Sequence, residues 1–303
     1  MKRLETLTPT DLSAWIQLAK TQVDKGRVAD RIPKLAVVDP DCFAVHICCK
    51  EGENYSAGDT NSIFPLMSVI KPFSLLYLLE HLGSETVFQW VGIQPSDAPF
   101  NCLTQLISDR GFPRNPMINS GAITLADKLP GKNALSRTLK FCQWLNQLGD
   151  CHFYLDEEML ASVRSVGSQT NQAIAQYLYN SGYIDNIQIA LDTYEQICCL
   201  SGKIEDLACL GKALFSLNIK LPHHRRIVNS LMLTCGLYEA SSKYAVQIGL
   251  PMKSGISGAL LTIVPKQGAI ATYSPALDQV GNSVLGLAFI KALSQDLELS
   301  IFN

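Results

Sequence analysis

Strand-like sequence at both ends of the chain encloses a long helical middle, and this order limits the folds that the 303 residues can adopt. The run CFAVHICC at 42–49 is rich in apolar and β-favouring residues, and a Gly-Glu-Asn turn leads to a shorter second run. After Gly249, the runs ALLTIVP and GAIATYSP are joined by a short Lys-Gln-Gly link. Each pair of runs predicts a β-hairpin.

The segment between the two hairpins, from about Phe64 to Leu233, has mainly helical periodicity. Apolar residues recur three and four positions apart, and several runs end in glycine. The runs are FSLLYLLEHLG, NALSRTLKFCQWLNQLG, QAIAQYLYNSG and TYEQICCLSGKIEDLACLGKALF. Outside this segment, further helices are predicted from Thr10 to Lys25, with Thr10 or Asp11 as the cap, and in GNSVLGLAFIKALSQDL.

This order predicts an α/β protein of the α+β type, in which an antiparallel sheet is built from both chain ends and flanked by helices, beside a mostly helical lobe. The sheet lobe would comprise about 1–66 and 235–303, and the helical lobe about 67–234. No repeat, low-complexity segment or flexible linker separates the lobes. We therefore expect a single domain over 1–303 with the active site between the lobes.

The composition favours a small-molecule partner. A formal net charge of -2 gives no electrostatic signature of binding to nucleic acid or to an anionic membrane. No apolar run has the length of a signal peptide or a membrane span, so we expect a soluble, cytoplasmic protein. The ten cysteines include the adjacent pairs Cys48-Cys49 and Cys198-Cys199 and form no C-x-x-C motif, which favours reduced core residues over disulfides.

The first candidate for chemistry is the Ser-x-x-Lys motif of Ser68 and Lys71. On a helix this spacing places both side chains on one face, where the amine can approach the hydroxyl. Serine is a weak nucleophile and lysine, with a reference pKa of about 10.4, holds its proton at neutral pH, so burial must activate the pair. Pro72 is tolerated if Ser68 lies in the first turn, where helix amides stabilise negative charge. Alone, the motif is also typical of a solvated helix surface.

A second motif, Lys253-Ser254-Gly255, precedes ALLTIVP as Lys-Thr-Gly accompanies Ser-x-x-Lys in β-lactamases and penicillin-binding proteins. By itself it could be a flexible turn before a strand, but together with Ser68 it favours an oxyanion-binding edge. The Ser-Asp-Asn element of those proteins has no counterpart, because the Ser-Asp pair at 96–97 continues with alanine. A β-lactamase or transpeptidase that is acylated by penicillin is therefore disfavoured.

From Gly26 to Gly286 the sequence resembles the serine-dependent glutaminases in several long blocks. The blocks are GRVADRIPKLA, GDTNSIFPLMSVIKPF, VGIQPSDAPFN, GFPRNPMINSGAI, LTCGLYEASSKYAVQIGLPMKSGISGALLTIVP and SPALDQVGNSVLG. The resemblance implies a fold like that of β-lactamases and penicillin-binding proteins. It also implies hydrolysis of L-glutamine to L-glutamate and ammonia, no metal or organic cofactor, and a homo-oligomer.

The resemblance assigns roles to individual residues. Ser68 matches the nucleophile, Lys71 its activating lysine, and Tyr238 a tyrosine beside the serine. The substrate-binding positions are matched by Ser68, Asn119, Asn171, Tyr194, Tyr238 and Ile256. Ile256 stands where valine is usual, and its backbone amide would help to hold the oxyanion. Structural roles are the alternative: a turn at Asn119, a helix cap at Asn171 and buried aromatic packing for the two tyrosines.

Two departures from the family pattern concern the substrate pocket. The segment ADRIP at 29–33 has Arg31 where the family usually has tyrosine. The segment SVRS at 162–165 replaces a Ser-Glu, so the glutamate expected to hold the substrate's α-ammonium is missing. Losing a charge-assisted contact costs about 1.5–3 kcal/mol, and a nearby arginine adds repulsion. Three hypotheses follow: another acidic residue substitutes, the substrate is a related amide without a free α-ammonium, or the protein is a non-catalytic ligand-binding relative.

Overall fold

The computed structural model describes residues 4–22, 26–215 and 222–303. Within these ranges the strands are β1 Ala44–Cys49, β2 Tyr55–Gly58, β3 Phe64–Pro65, β4 Tyr154–Leu155, β5 Leu200–Gly202, β6 Met252–Ser254, β7 Ala259–Val264 and β8 Gly268–Tyr273. The α-helices are α1 Pro9–Gln22, α2 Pro33–Ala36, α3 Lys71–Leu82, α4 Ser84–Val87, α5 Leu103–Ser108, α6 Asn119–Asp127, α7 Ala134–Gly149, α8 Glu157–Val166, α9 Gln169–Asn180, α10 Ile187–Cys198, α11 Ile204–Leu210, α12 Lys212–Phe215, α13 Pro222–Cys235, α14 Ser241–Gln247 and α15 Val284–Leu297. Short 3-10 turns occupy Leu4–Thr6, Met67–Ile70 and Tyr238–Ala240.

The main sheet has five antiparallel strands in the order β2-β1-β8-β7-β6. Strands β1 and β2 pair with each other, as do β7 and β8, so both predicted hairpins are confirmed. The hairpins join where β1 pairs with β8, with Ala44 opposite Tyr273 and Cys49 opposite Gly268. The sheet is therefore assembled from both ends of the chain, as the sequence predicted.

Both faces of this sheet are buried, so alternate side chains of one strand enter different hydrophobic clusters. In β1, Val45 and Ile47 pack in the cluster that contains α1 and α15, whereas Ala44 and Cys48 pack in the cluster shared with the helical middle of the chain. Burial on both sides explains why these strands are continuous apolar runs in the sequence. All ten cysteines are free and seven of them are buried, in agreement with the predicted reduced core.

The first long helix differs in detail from the prediction. Helix α1 begins at Pro9 and is described to Gln22, and the remainder of the predicted helix, to Lys25, lies outside the described residues. Thr8 caps the start of the helix. Its backbone N–H and its hydroxyl donate to Asp11 Oδ2 at 2.9 and 2.8 Å. The predicted caps, Thr10 and Asp11, are instead residues of the helix.

The sequence predicted helix throughout 193–215, and this prediction is wrong. Helix α10 ends at Cys198, β5 follows, and α11 begins at Ile204. Strand β5 pairs with β3 and β4 in a second antiparallel sheet of three strands. A three-residue strand is too short to show a period of two within a helical pattern. Its position matters because β3 leads directly into the segment that contains Ser68.

The division into lobes at 66–67 and 234–235 stays a prediction. The second sheet joins the two proposed lobes, because β3 lies just before residue 67 and its partner β5 lies in the helical middle. In the three described ranges, no helix combines the length and the apolar character needed to cross a membrane.

Candidate active site

Ser68 lies on the 3-10 turn between β3 and α3. The backbone N–H of Leu66 donates to Leu200 O of β5 at 2.8 Å and so fixes the start of this turn. Met67 has a φ of 46°, a left-handed conformation that a non-glycine residue keeps only when its surroundings hold it there. The backbone N–H of Lys71 donates to Ser68 O. The Ser-x-x-Lys motif therefore spans a single helical turn, as its spacing predicted.

Lys71 is the first residue of α3 and is almost completely buried. Its Nζ donates to Met117 O at 3.1 Å and to Asn119 Oδ1 at 2.8 Å. Burial lowers the pKa of Lys71 to about 8, because removal from water disfavours the charged ammonium. The amine can thus be neutral, and able to accept a proton, close to neutral pH.

Asn119 connects Lys71 to two further predicted site residues. Its Oδ1 also accepts a hydrogen bond from Tyr194 Oη at 3.0 Å, and its Nδ2 donates to Asn171 Oδ1 at 2.9 Å. Because Lys71 Nζ and Tyr194 Oη both donate to Oδ1, the amide oxygen of Asn119 faces these two groups and its Nδ2 faces Asn171. Asn171 does not cap α9, because Ser168 does so by accepting from the Asn171 backbone N–H. The side chain of Asn171 is therefore available to the network.

Tyr238 is the first residue of a 3-10 turn and has a φ of 57°. Its hydroxyl donates to Ser254 O at 3.3 Å, and Lys253 Nζ lies 4.3 Å from the centre of its ring. Burial raises the pKa of Tyr238 to about 12, although its interactions with the Ser68 and Ser254 side chains act in the opposite direction. The hydroxyl is consequently neutral at physiological pH and can both donate and accept a hydrogen bond.

Lys253 and Ser254 belong to edge strand β6, so the second motif is part of the sheet and not a flexible turn. Lys253 Nζ is buried and donates to Gly236 O at 2.9 Å and to Ser254 O at 2.7 Å. Burial, followed by the nearby charge of Lys71, holds the pKa of Lys253 well below its usual range. The charge of Lys71 thus disfavours the charged form of Lys253 beside the Ser68 turn.

The end of β6 lies directly against the turn that carries Ser68. A Cβ at Gly255 would stand 2.8 Å from Leu66 O and 3.4 Å from the Met67 Cβ, so a larger residue would push the strand away. The next residue, Ile256, lines the same cavity as Ser68. This close approach brings the backbone after Lys253-Ser254-Gly255 to the candidate nucleophile, as the paired motifs predicted.

A cavity of about 220 Å³ brings most of the predicted site residues together. Those that line it are Ser68, Asn119, Asn171, Tyr194 and Ile256. Lys71 and Tyr238 do not line it themselves, but Lys71 bonds to Asn119 and the Tyr238 ring packs against Phe100, and both of these partners line the cavity. The volume is below the roughly 300–1,000 Å³ of pockets for drug-sized ligands. The cavity therefore suits a small molecule.

The two departures from the family pattern occupy different places. Arg31 lines the Ser68 cavity, and its Nη2 donates to Gly167 O at 2.5 Å. Val163 lines the same cavity, whereas Arg164 lines a neighbouring one of about 640 Å³ and lies 3.4 Å from Asp192 Oδ1. The positive charge of Arg164 is thus opposed by a carboxylate, which weakens the repulsion expected from the sequence.

Two residues near the site were missed by reasoning from the sequence. Glu195 lines the Ser68 cavity and follows Tyr194 directly, which is the only sequence signal that could have identified it. Asn282 is buried, and its Oδ1 accepts a hydrogen bond from Ser254 Oγ at 2.6 Å. It stands in the block SPALDQVGNSVLG, so its position there was the available signal.

Sequence comparisons relate nearly the whole chain to one family. The profile of the family described as Glutaminase matches residues 26–302. A glutaminase from Synechocystis sp. is 42% identical over 292 residues, which cover 95% of this chain and 89% of the relative. A glutaminase from Pseudoalteromonas atlantica is 38% identical over 300 residues, covering 95% of this chain and 97% of the relative.

Solved structures give the same result. A structure described as probable glutaminase ybaS superposes with a TM-score of 0.89 at 32% identity and covers 98% of this chain and all of its own. A probable glutaminase from Bacillus subtilis, complexed with 6-diazo-5-oxo-L-norleucine, has a TM-score of 0.87 at 30% identity and covers 100% of both chains. The predicted β-lactamase-like fold is confirmed by these neighbours.

Proposed function

The chain belongs to the glutaminase family, and from this premise we propose that it hydrolyses L-glutamine to L-glutamate and ammonia through an acyl-enzyme on Ser68. One observation carries the assignment of the nucleophile. Lys71 is buried, has a pKa of about 8, and follows by one helical turn Ser68, which lines a small cavity. Such a lysine can remove the serine proton without a histidine.

In the proposed first step, Ser68 Oγ attacks the side-chain carbonyl carbon of glutamine while its proton passes to neutral Lys71. The new C–O bond converts the carbonyl oxygen into an oxyanion. The backbone amides of Ser68 and Ile256 donate to this oxyanion, a role that the contact between β6 and the Ser68 turn supports. Collapse then breaks the C–N bond, and the departing nitrogen takes the proton held by Lys71 and leaves as ammonia.

In the second step, water attacks the acyl carbon and releases L-glutamate. A proton of the water returns to Ser68 Oγ through Lys71 and Tyr238, whose neutral hydroxyl is held against Ser254 O. Asn119, Asn171 and Tyr194 position the amino-acid part of the substrate, and their hydrogen bonds with one another support this assignment. The reaction consumes one water and regenerates both the serine hydroxyl and the amine.

The direct test is ammonia release from L-glutamine by the purified protein and by Ser68→Ala. We expect the variant to lose at least about a thousandfold in kcat, because removing the nucleophile removes the covalent route. Ser13→Ala, at an exposed position on α1, is the matched control and should retain full activity. Equal rates for the wild type and Ser68→Ala would overturn the mechanism.

A labelling experiment separates this proposal from a non-catalytic relative. The ligand of the Bacillus subtilis structure, 6-diazo-5-oxo-L-norleucine, is an electrophilic analogue of glutamine. We expect it to add one adduct to the wild type and none to Ser68→Ala, as measured by intact mass. A wild-type protein that binds the analogue reversibly but forms no adduct would instead support a ligand-binding role.

The homo-oligomer and the cytoplasmic location are also proposed for this chain, on the basis of its resemblance to the family and of its sequence. Light scattering on the purified protein gives the assembly mass, and a monomer at working concentration would contradict the first proposal. Fractionation of cells that express the full chain tests the second.

A further inference from the structure

We propose that Glu195 is the carboxylate that binds the substrate's α-ammonium in this chain and selects amides in which that ammonium is free. The inference rests on the proposed function, because it assigns a role within the same cavity. It deepens that function by naming the chemical feature that a substrate must carry in addition to its carboxamide.

The position of Glu195 is the first support. Among the described residues that line the Ser68 cavity, Glu195 is the one with a carboxylate. It follows Tyr194 on α10, and the Tyr194 hydroxyl is tied to Asn119 at 3.0 Å. A cationic group bound by Glu195 would therefore lie beside the Lys71-Asn119 network, within the space that also contains Ser68.

The carboxylate is held in place but keeps capacity for another partner. Arg164 Nε donates to Glu195 Oε2 at 3.5 Å, which is longer than the roughly 2.7–2.9 Å of a strong charge-assisted hydrogen bond. Two carboxylate oxygens offer about four acceptor sites, so a single long contact does not saturate them. The side chain is only 20% exposed, and an ammonium that reaches it meets little competition from water.

Arg164 positions this carboxylate and does not compete for the substrate. Its guanidinium lies between Glu195 and Asp192, at 3.5 and 3.4 Å, and lines the neighbouring cavity. Burial raises the pKa of Glu195, and the contact with Arg164 opposes that rise. The arginine thus helps to keep the carboxylate ionised, as an ammonium-binding group must be.

The charges of the cavity match a zwitterionic amino acid. Arg31 supplies a positive charge to the same lining, and its contact with Gly167 O holds it at the cavity wall. An α-carboxylate and an α-ammonium require groups of opposite sign close together, and Arg31 and Glu195 provide both. An amide with a blocked nitrogen would leave the Glu195 carboxylate with Arg164 as its cationic partner and would gain nothing from it.

The decisive experiment measures binding and does not depend on turnover. In a Ser68→Ala background, calorimetry gives Kd for L-glutamine and for N-acetyl-L-glutamine, which lacks the ammonium. We expect Glu195→Gln, which keeps the shape and removes the charge, to weaken L-glutamine binding roughly 10- to 100-fold and to leave N-acetyl-L-glutamine within about twofold. Glu157→Gln, which makes the same change at an exposed glutamate on α8, is the matched control and should leave the preference unchanged.

The outcomes distinguish the two proposals. Three outcomes would overturn the role of Glu195. They are a Kd for L-glutamine that changes less than twofold in Glu195→Gln, equal weakening of binding for both ligands, and no binding of L-glutamine at all. If the Ser68-containing protein releases no ammonia while Glu195→Gln still weakens L-glutamine selectively, the proposed hydrolysis fails and the ammonium site stands. Where both are correct, Glu195→Gln raises KM for L-glutamine by the same factor with little change in kcat.

Discussion

The two sides of the cavity are built differently. On the side of the proposed chemistry, Lys71, Tyr238 and Lys253 are buried and are fixed largely by backbone carbonyls. On the side proposed to recognise the amino acid, Arg164 and Glu195 have side chains that are 43% and 20% exposed and that contact each other. A buried side chain that bonds to main-chain carbonyls can be substituted only if the backbone around it also changes. A charged residue on a helix surface can instead be replaced by one at a neighbouring position.

The two sides of the cavity also differ in how closely their sequence follows the family pattern. The motifs around Ser68 and Lys253 fit it apart from the apolar exchange at Ile256, whereas the departures that change charge, at Arg31 and Arg164, lie on the recognition side. In the proposed site, the carboxylate that is absent from α8 is supplied by Glu195 of α10. This is possible because α8 and α10 are neighbours and Arg164 of α8 contacts Asp192 and Glu195 of α10. A pocket can therefore keep its charge while its sequence changes.

The largest effect on the chemical side of the cavity is expected from a substitution of Lys71. We expect Lys71→Ala to lower kcat by about 10²–10⁴ with a smaller change in KM, because the proton acceptor is lost. Lys20→Ala, an exposed lysine on α1, is the control and should behave as wild type. Steady-state ammonia release measures both, with circular dichroism to verify folding, and a loss in kcat below tenfold would show that Lys71 is not the base.

The pH dependence gives the next largest effect. Burial lowers the pKa of Lys71 to about 8, so the amine is mostly protonated below that pH and neutral above it. We therefore expect kcat/KM to rise about tenfold from pH 6 to pH 7 and to level off above about pH 8. Initial rates in buffers of constant ionic strength test this, and a profile that is flat between pH 6 and pH 8 would contradict the assignment.

The smallest effect is expected on the recognition side, at Arg31. An exposed charge contributes about 0.5–1 kcal/mol, so Arg31→Gln should raise KM for L-glutamine roughly two- to fivefold and leave kcat unchanged. Added salt should shrink the difference, because exposed charges are screened. If kcat fell tenfold while KM stayed constant, the separation between the two sides of the cavity would not hold.

The parts of the fold that could be predicted from the sequence are those with a local pattern. The two hairpins and the single turn between Ser68 and Lys71 follow from short-range periodicity and spacing, and the sheet from both chain ends follows from the order of the strand-like and helical runs. Strand β5 was missed because its three residues lie within a helical pattern and are stabilised by partners distant in the sequence. Tertiary pairing decides such a segment, and periodicity does not record it.

The same limit applies to the candidate site. Ser68, Lys71 and Lys253 could be singled out because their motifs are contiguous, although their roles stay proposals. Glu195 could not be identified, since the sequence does not reveal that α10 presents this residue to the cavity and to Arg164. Asn282 was missed for the same reason, because its partner Ser254 lies on a different element.

The pairing of β1 with β8 has a consequence for how the protein is made. These strands come from opposite ends of the chain, and contacts of such long sequence separation form late because closing the large loop costs entropy. During synthesis Ser68 and Lys71 leave the ribosome long before Ile256 and β8 do. We therefore expect the nascent chain to be catalytically silent until Ile256 and β8 have emerged, so that the order of translation itself delays activity until β8 can pair with β1.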